Sequence, residues 1–170
     1  RLREALLSLQ GVQETRPSRP VALQEALAPA FAEPLTRAEA HNLLGIAYAK
    51  AQEPALAQQH FEGALEADPQ HYRALSNLGN AALTKGDLSA AERCQREAIS
   101  LNADFAAAHH NLGVVLRKKG DLSGAVTHLK KAQRLDMRAN KAQARPNTYA
   151  RFITFGLLTA VLLFWLIHHH

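Results

Sequence analysis

The sequence contains little of what enzymes and disulfide-stabilised proteins need. Only one of its 170 residues, Cys94, is a cysteine, so no internal disulfide can form, and a reducing compartment is expected. There is no glycine-rich phosphate loop, no Cys/His spacing typical of a metal site, and no nucleophile motif. These absences predict that the protein is not an enzyme and that it uses no cofactor and no metal ion.

The positive charge is modest and is concentrated in one stretch. The formal net charge is +5 at pH 7, and the stretch from residue 138 to residue 151 has basic residues but no acidic one. Its basic residues are Arg138, Lys141, Arg145 and Arg151. Basic residues beside an apolar segment typically contact anionic lipid headgroups. We therefore expect no nucleic-acid partner.

What the sequence does contain is a repeat with a period of 34 residues. Gly45, Gly79 and Gly113 each follow a leucine at this spacing. Two columns of alanine keep the same register: Ala57, Ala91 and Ala125, and then Ala64, Ala98 and Ala132. A period of this length is typical of a stack of identical supersecondary units.

Each unit is predicted to be a pair of helices joined by a turn. Apolar residues recur within the units at helical rather than alternating spacing. Gly86 and Gly120 each follow a lysine and precede an aspartate. That pattern is typical of a helix that ends at a left-handed glycine, followed by a helix with an aspartate cap. The glycine and alanine columns let the two backbones approach closely. The sequence thus predicts an all-α protein.

This pattern resembles that of the tetratricopeptide repeat (TPR) family. The first unit carries most of the residues that the family favours: Leu44, Gly45, Tyr48, Ala57, Phe61, Ala64 and Pro69. The later units depart from the family pattern at positions that include Ala82, Gln95 and Ala103 in the second unit and Leu116 and Leu129 in the third. The resemblance implies a helical solenoid of three helix-turn-helix repeats, whose first helices line a concave groove that binds a peptide or a protein surface.

The same register divides the chain into segments. They are an N-terminal helical cap or degenerate repeat at 1–37, three TPR units at 38–71, 72–105 and 106–139, a basic juxtamembrane linker at 140–148, a transmembrane helix at 149–167 and the remnant of a purification tag at 168–170. Within the cap, the spacing of Leu23, Leu27 and Phe31 predicts one amphipathic helix over 21–31.

The positions that line the groove in TPR proteins hold mainly asparagine and basic residues here. They are Asn42, Lys50, Arg73, Ser76, Asn77, Asn80, Thr84, His110, Asn111, Arg117 and Lys118. An asparagine amide both donates to and accepts from an extended peptide backbone, so we interpret this set as the partner-binding face. The alternative left open is that these are solvated polar residues on an exposed surface.

One function of the family is not expected here. TPR modules that dock the acidic C-terminal tails of chaperones use a carboxylate clamp of lysine, asparagine and arginine residues. The matching positions hold Asn42, Ile46, Asn77, Ala107 and Asn111, and only Asn77 agrees with the clamp. The resemblance therefore implies protein binding without docking of chaperone tails.

Residues 149–167 form an apolar segment whose last 16 residues carry no charge. A helix of 19 residues is about 28 Å long, close to the ~30 Å of a hydrocarbon core. We predict a transmembrane helix here, in preference to a buried core helix or an interfacial helix. Arg145 and Arg151 are predicted to contact lipid headgroups, and Gly156 and Ala160 to pack against another transmembrane helix.

The basic flank predicts the orientation of the span through the positive-inside rule. The protein would be single-pass, with a C-terminal anchor and with the repeats in the cytoplasm. The sequence therefore predicts a membrane-anchored scaffold that recruits a protein partner at the cytoplasmic face. Two alternatives stay open: an accessory or assembly subunit of an integral membrane complex, bound through both the span and the repeats, and a soluble-partner regulator of an enzyme. The expected partners are a peptide segment or helical surface, membrane lipid and other transmembrane subunits.

Overall fold

The computed structural model describes residues 1–15 and 20–143, and the regular structure in these ranges is α-helical. The helices there are α1 (Leu2–Thr15), α2 (Pro20–Ala26), α3 (Ala28–Ala32), α4 (Pro34–Lys50), α5 (Pro54–Ala67), α6 (Tyr72–Lys85), α7 (Leu88–Leu101), α8 (Ala106–Lys118) and α9 (Leu122–Gln143). The chain divides into two units, Arg1–Gln133 and Arg134–His170. The first unit is described below; of the second, the structure describes residues 134–143, which are helical.

Helices α4 to α9 form three hairpins, and the glycine column lies where the two helices of each hairpin meet. An added Cβ atom would lie 2.6 Å from Phe61 Cδ1 at Gly45, 2.6 Å from Gln95 Nε2 at Gly79, and 2.7 Å from Leu129 Cγ at Gly113. Side chains essentially never approach so closely, so each of these positions has room only for glycine. The prediction of small residues at a helix crossing is confirmed.

The turns of the second and third hairpins also have the predicted form. Gly86 and Gly120 adopt left-handed backbone conformations, with φ angles of 85° and 88°, which a residue with a Cβ atom rarely adopts. The aspartate after each glycine caps the following helix by accepting from a backbone N–H. Asp87 Oδ1 lies 2.9 Å from Ala90 N, and Asp121 Oδ1 lies 2.8 Å from Gly124 N.

The N-terminal helices α1, α2 and α3 pack on α4. They share one hydrophobic cluster with it, formed by Val12, Leu23, Leu27, Ala30, Ala40 and Leu44. Two side chains of α4 also hold the end of α3: Thr36 Oγ1 donates to the carbonyl oxygen of Ala30 at 2.9 Å, and Arg37 Nε donates to that of Phe31 at 2.9 Å. The first hairpin is therefore covered on its N-terminal side.

The prediction of a single helix over 21–31 is wrong. Helix α2 ends at Ala26 and α3 begins at Ala28, with Leu27 in a turn between them. The cause is Pro29, which has no N–H to donate and whose ring would collide with the carbonyl group four residues earlier. The break still leaves Leu27 fully buried, so the apolar face that the spacing predicted reaches the core.

The predicted span at 149–167, the linker from residue 144 onward and the terminal histidines lie outside the described residues. Among the helices in the two described ranges, none combines the length and the apolar character that crossing a bilayer requires. The transmembrane helix therefore stays a prediction from the sequence.

Candidate functional site

A cavity of about 510 Å³ opens between the first and second hairpins. It is lined by Ile46, Ala49, Lys50, Gln52, Pro54, Ala57, Phe61, Asn77, Asn80, Ala81, Thr84 and Lys85. The most buried of these, Ala57 and Phe61, are apolar, whereas Lys50, Thr84 and Lys85 are exposed. An apolar interior with a few polar groups at its edge is typical of a ligand-binding pocket of this volume.

Local geometry explains why the cavity lies at this hairpin. Gly45 brings α4 close to α5, so that the ring of Phe61, only 3% exposed, can pack against α4 at the base of the cavity. The turn between the two helices forms one edge. Gln52 adopts a φ of 63° there, and Pro54 begins α5 at a position where its missing N–H costs nothing.

The polar edge of the cavity is held in place by hydrogen bonds between hairpins. Lys85 Nζ of α6 donates to Gln58 Oε1 of α5. Asn77 Nδ2 of α6 donates to Asn42 Oδ1 of α4 at 2.9 Å, so the amide oxygen of Asn77 is the atom suited to accept from a bound backbone. Lys50, at the end of α4, is also exposed, so two lysines, Lys50 and Lys85, line the cavity.

Two residues predicted to face the groove are buried, and that part of the prediction is wrong. Asn42 and Ser76 are each 2% exposed, and each accepts a hydrogen bond from the next hairpin. Asn77 Nδ2 donates to Asn42 Oδ1, and Asn111 Nδ2 donates to Ser76 Oγ at 3.3 Å. Both bonds join residues 35 positions apart. Asn42 and Ser76 connect successive hairpins and present no surface to a partner.

The comparison with protein families decides what this repeated hairpin is. The tetratricopeptide repeat family matches residues 22–71, 42–99 and 77–140, which together are more than half of the chain. The chain belongs to the tetratricopeptide repeat family. No curated protein matches it.

Solved TPR structures have the same fold. A crystal structure of MamA is 22% identical, with a TM-score of 0.57 over 78% of this chain and 86% of that one. A crystal structure of MamA protein is 25% identical, with a TM-score of 0.57 over 74% of this chain and 68% of that one. The second TPR of Spaghetti (RPAP3), bound to the HSP90 peptide SRMEEVD, is 20% identical, with a TM-score of 0.55 over 58% of this chain and 91% of that one. The chain is thus a TPR-type helical solenoid.

Gln95 is the clearest departure from the TPR pattern inside the fold. It occupies the position that Phe61 holds in the first repeat, and it is fully buried. Its amide makes three hydrogen bonds: Oε1 accepts from Ser76 Oγ at 2.8 Å, while Nε2 donates to the Ser76 carbonyl at 2.9 Å and to Asn80 Oδ1 at 3.2 Å. The sequence analysis noted this departure but did not predict the hydrogen-bond network. The one sign of it in the sequence is that a polar residue stands at a repeat position where the family has an apolar one.

The structure brings together some of the predicted groove residues but not all. Lys50, Asn77, Asn80 and Thr84 line the cavity, whereas five others lie elsewhere: Arg73, His110, Asn111, Arg117 and Lys118. Arg73 NH1 lies 3.6 Å from Glu39 Oε1, so a nearby acid offsets its charge. The predicted lipid and packing residues Arg145, Arg151, Gly156 and Ala160 lie outside the described residues.

The described part of the chain has no group of three or more His, Cys, Asp or Glu side chains that could hold a metal ion. Burial raises the pKa of the Cys94 thiol, with the nearby Glu97 and Asp87 adding to the rise and Arg93 opposing it. A raised pKa keeps the sulfur protonated at neutral pH, and a thiol is a much weaker nucleophile than a thiolate.

Proposed function

We propose that this protein is an interaction scaffold whose cavity between the first two repeats holds an apolar side chain of a protein partner. The observation that carries the proposal is the cavity itself, with its apolar base around Phe61 and its two edge lysines, Lys50 and Lys85. Acidic groups that flank the apolar side chain would lie near these lysines. The partner is therefore a segment that combines an apolar residue with neighbouring Asp or Glu.

A solved relative supports this class of partner. The second TPR of Spaghetti (RPAP3) holds the peptide SRMEEVD, in which a methionine precedes two glutamates. The present chain keeps only Asn77 of the five clamp positions, so we propose that recognition depends on the apolar cavity and the lysines beside it rather than on a clamp for a terminal carboxylate.

The groove can be tested with the purified full chain in mild detergent and a displayed library of short random peptides. We expect selection of sequences with an apolar residue next to acidic ones. Lys50→Glu should weaken binding of the selected peptide at least tenfold, which corresponds to about 1.4 kcal/mol, because it replaces attraction by repulsion at the cavity edge. Lys50 is a better test than Asn77, whose loss would also leave the buried Asn42 without its donor.

Two further variants make that test specific. Ala81→Trp fills the cavity and should abolish selection of the apolar residue while the helical circular dichroism is retained. Lys130→Glu reverses an exposed charge on α9, away from the cavity lining, and should leave affinity within twofold. Unchanged affinity in Lys50→Glu and Ala81→Trp would place the partner on another face of the repeats.

We propose in addition that residues 149–167 anchor the protein in a membrane as a single C-terminal span, with the repeats in the cytoplasm. The support is the absence of charge over 152–167 and the basic flank before it. Arg145 and Arg151 would contact lipid headgroups. The scaffold would then recruit its partner at the membrane surface.

Leu158→Arg tests the anchor. An arginine at the centre of a span costs about 2.5–3.5 kcal/mol in insertion, so we expect the variant to be largely released from membranes by alkaline extraction while the parent chain stays in the pellet. Arginine placed on the exposed helix α9 instead, as Gln133→Arg, should change nothing. A parent chain that is itself extracted at alkaline pH rules out the anchor.

The second candidate function is a subunit of an integral membrane complex, which the small-xxx-small spacing of Gly156 and Ala160 favours. Replacing both with leucine keeps the segment apolar but blocks close approach of another helix. Loss of membrane partners from the purified double variant, with peptide binding retained, would support the subunit. Recovery of all partners in parent stoichiometry would leave the span as an anchor alone.

A further inference from the structure

Two pairs of histidines join the helices of the first and third repeats. His41 of α4 and His60 of α5 have their Nδ1 atoms 3.1 Å apart, and His109 of α8 and His128 of α9 have theirs 3.0 Å apart. Both pairs are separated by 19 residues and occupy the same two positions of their repeats. The same geometry has thus been built twice in one solenoid.

The two rings of each pair meet head-on. The ring centres are 5.3 Å apart in the first pair and 5.2 Å apart in the second. Each separation exceeds its Nδ1–Nδ1 distance by about the width of one ring, so the two nitrogens lie nearly on the line between the centres. The arrangement is that of a linear N–H···N hydrogen bond, which requires one proton between the two nitrogens.

A backbone contact shows which nitrogen accepts in the third repeat. His109 Nε2 lies 3.0 Å from the carbonyl oxygen of Ala103, and a carbonyl oxygen can only accept, so Nε2 carries a hydrogen. When His109 is neutral its Nδ1 therefore has a lone pair. The hydrogen between the rings therefore belongs to His128 Nδ1. One extra proton leaves the hydrogen bond intact.

The surroundings of the first pair oppose a further positive charge. Burial is the main cause that lowers the pKa values of His41 and His60; Arg37 also lowers the pKa of His41, Glu66 opposes that change, and the pKa of His60 is lowered further by His41. Two aromatic rings cover the pair: Phe31 of α3 meets His41 edge-on, and Tyr48 of α4 stacks on His60 at 5.3 Å.

In the third repeat, too, the effects that lower the histidine pKa outweigh the one that raises it. Burial lowers the pKa of His128, and His109 on α8 and Arg96 on α7 lower it further, while Asp121 opposes them. These are the charged and titratable groups that face this pair from α7, α8 and the turn before α9. In each pair, one acidic residue offsets only part of the effect of burial and of a neighbouring arginine.

We propose that the two histidine pairs make the first and third repeats acid-sensitive, because each pair is held by a shared proton and opens when both rings become charged. Two imidazolium rings have only donors at their Nδ1 atoms and cannot hydrogen-bond to each other. They would also place like charges about 3 Å apart in a partly buried site. The second repeat has Leu75 and Cys94 at these positions and lacks this response.

The direction of the pH effect follows from proton binding. The pKa values of His41, His60 and His128 in the folded chain lie below the ordinary value of 6.5. The unfolded chain therefore binds more protons as the pH falls through about 6.5. Stability contributed by the pairs is present above that pH and is lost below it, until the folded pairs are protonated too.

The second repeat supplies the variants for a test in the full chain. His41→Leu with His60→Cys, and His109→Leu with His128→Cys, place its residues in the other two repeats, and a fourfold variant combines them. We expect the melting temperature of the parent to fall between pH 7.5 and pH 5.5 by at least about 5 °C more than that of the fourfold variant, with each double variant in between. His110→Gln removes an exposed histidine outside the pairs and should keep the parent's pH dependence.

Nitrogen-15 NMR of the parent chain tests the proposal without any substitution. We expect one hydrogen-bonded proton between the two Nδ1 atoms of each pair at pH 7.5. It should be lost together with the tertiary signals of α4–α5 and α8–α9 on acidification, while signals of α6–α7 persist to lower pH. Equal loss of melting temperature in the parent and the fourfold variant would overturn the proposal. So would four histidines that titrate independently with no change in the helix contacts.

Discussion

Gly79→Leu should destabilise the repeats by at least 3 kcal/mol, at or beyond the upper end of what overpacking typically costs. An added Cβ atom alone would lie 2.6 Å from Gln95 Nε2 and 3.1 Å from Cys94 Cβ, and the rest of the leucine side chain has to enter the same space. Gln95 cannot move away without breaking its buried hydrogen bonds to Ser76 and Asn80. The gain of about 1 kcal/mol in helix propensity is too small to compensate.

The measurement is thermal unfolding followed by circular dichroism. A loss of this size should lower the melting temperature by at least about 10 °C for a domain of this length. Gly11→Leu is the matched control, because an added Cβ atom at Gly11 in α1 would meet no atom within 4 Å; that variant should melt at or above the parent temperature. A Gly79→Leu protein that melts within 2 °C of the parent would show that α6 and α7 do not cross at this glycine.

Gln95→Ala should cost about 3 kcal/mol through two effects that add. Removing a fully buried side chain leaves a cavity, and the hydroxyl of Ser76, itself 2% exposed, loses the oxygen to which it donates. A buried donor left without a partner costs about 1–3 kcal/mol. Asn80 also loses the donor that holds its amide oxygen at the cavity edge.

The third repeat offers a control that separates these effects, since it has Leu129 where the second has Gln95. Gln95→Leu keeps most of the volume and should cost only the hydrogen-bond part, about 1–2 kcal/mol. Adding Ser76→Ala to Gln95→Leu removes the stranded hydroxyl, so a double-mutant cycle should give a coupling energy of at least about 1 kcal/mol. Additive effects of the two substitutions would mean that the hydrogen bond contributes nothing to stability.

Parts of the candidate site could be predicted from the sequence and parts could not. Lys50, Asn77, Asn80 and Thr84 were placed in the groove from repeat register, and they do line the cavity. The burial of Asn42 and Ser76 was missed, because register says which face of a helix a residue occupies but not how far the next hairpin covers that face. That distance depends on how two repeats stack.

The histidine pairs are a second feature that the sequence did not predict, because it too depends on how helices pack. Sequence reasoning assigned His110 to the groove and did not pair its neighbour His109 with His128. The true partner lies 19 residues away on the other helix of the hairpin. Nothing in the spacing of His41 and His60 states that their rings meet; the contact arises only when the glycine column brings the two helices together.

By itself the sequence determined the features that depend on local backbone geometry and on period. The 34-residue recurrence of glycine and alanine was enough to predict three helix hairpins. The Lys-Gly-Asp turns at 85–87 and 119–121 were enough to predict where their helices end and begin. Both predictions were possible because only a few residue types fit a left-handed turn or a close helix crossing. The tertiary structure alone decided how deep the cavity is beside Phe61, which polar groups are buried with partners, and which histidines share a proton. These depend on distances between segments far apart in the chain, and such distances are set by packing rather than by any local preference.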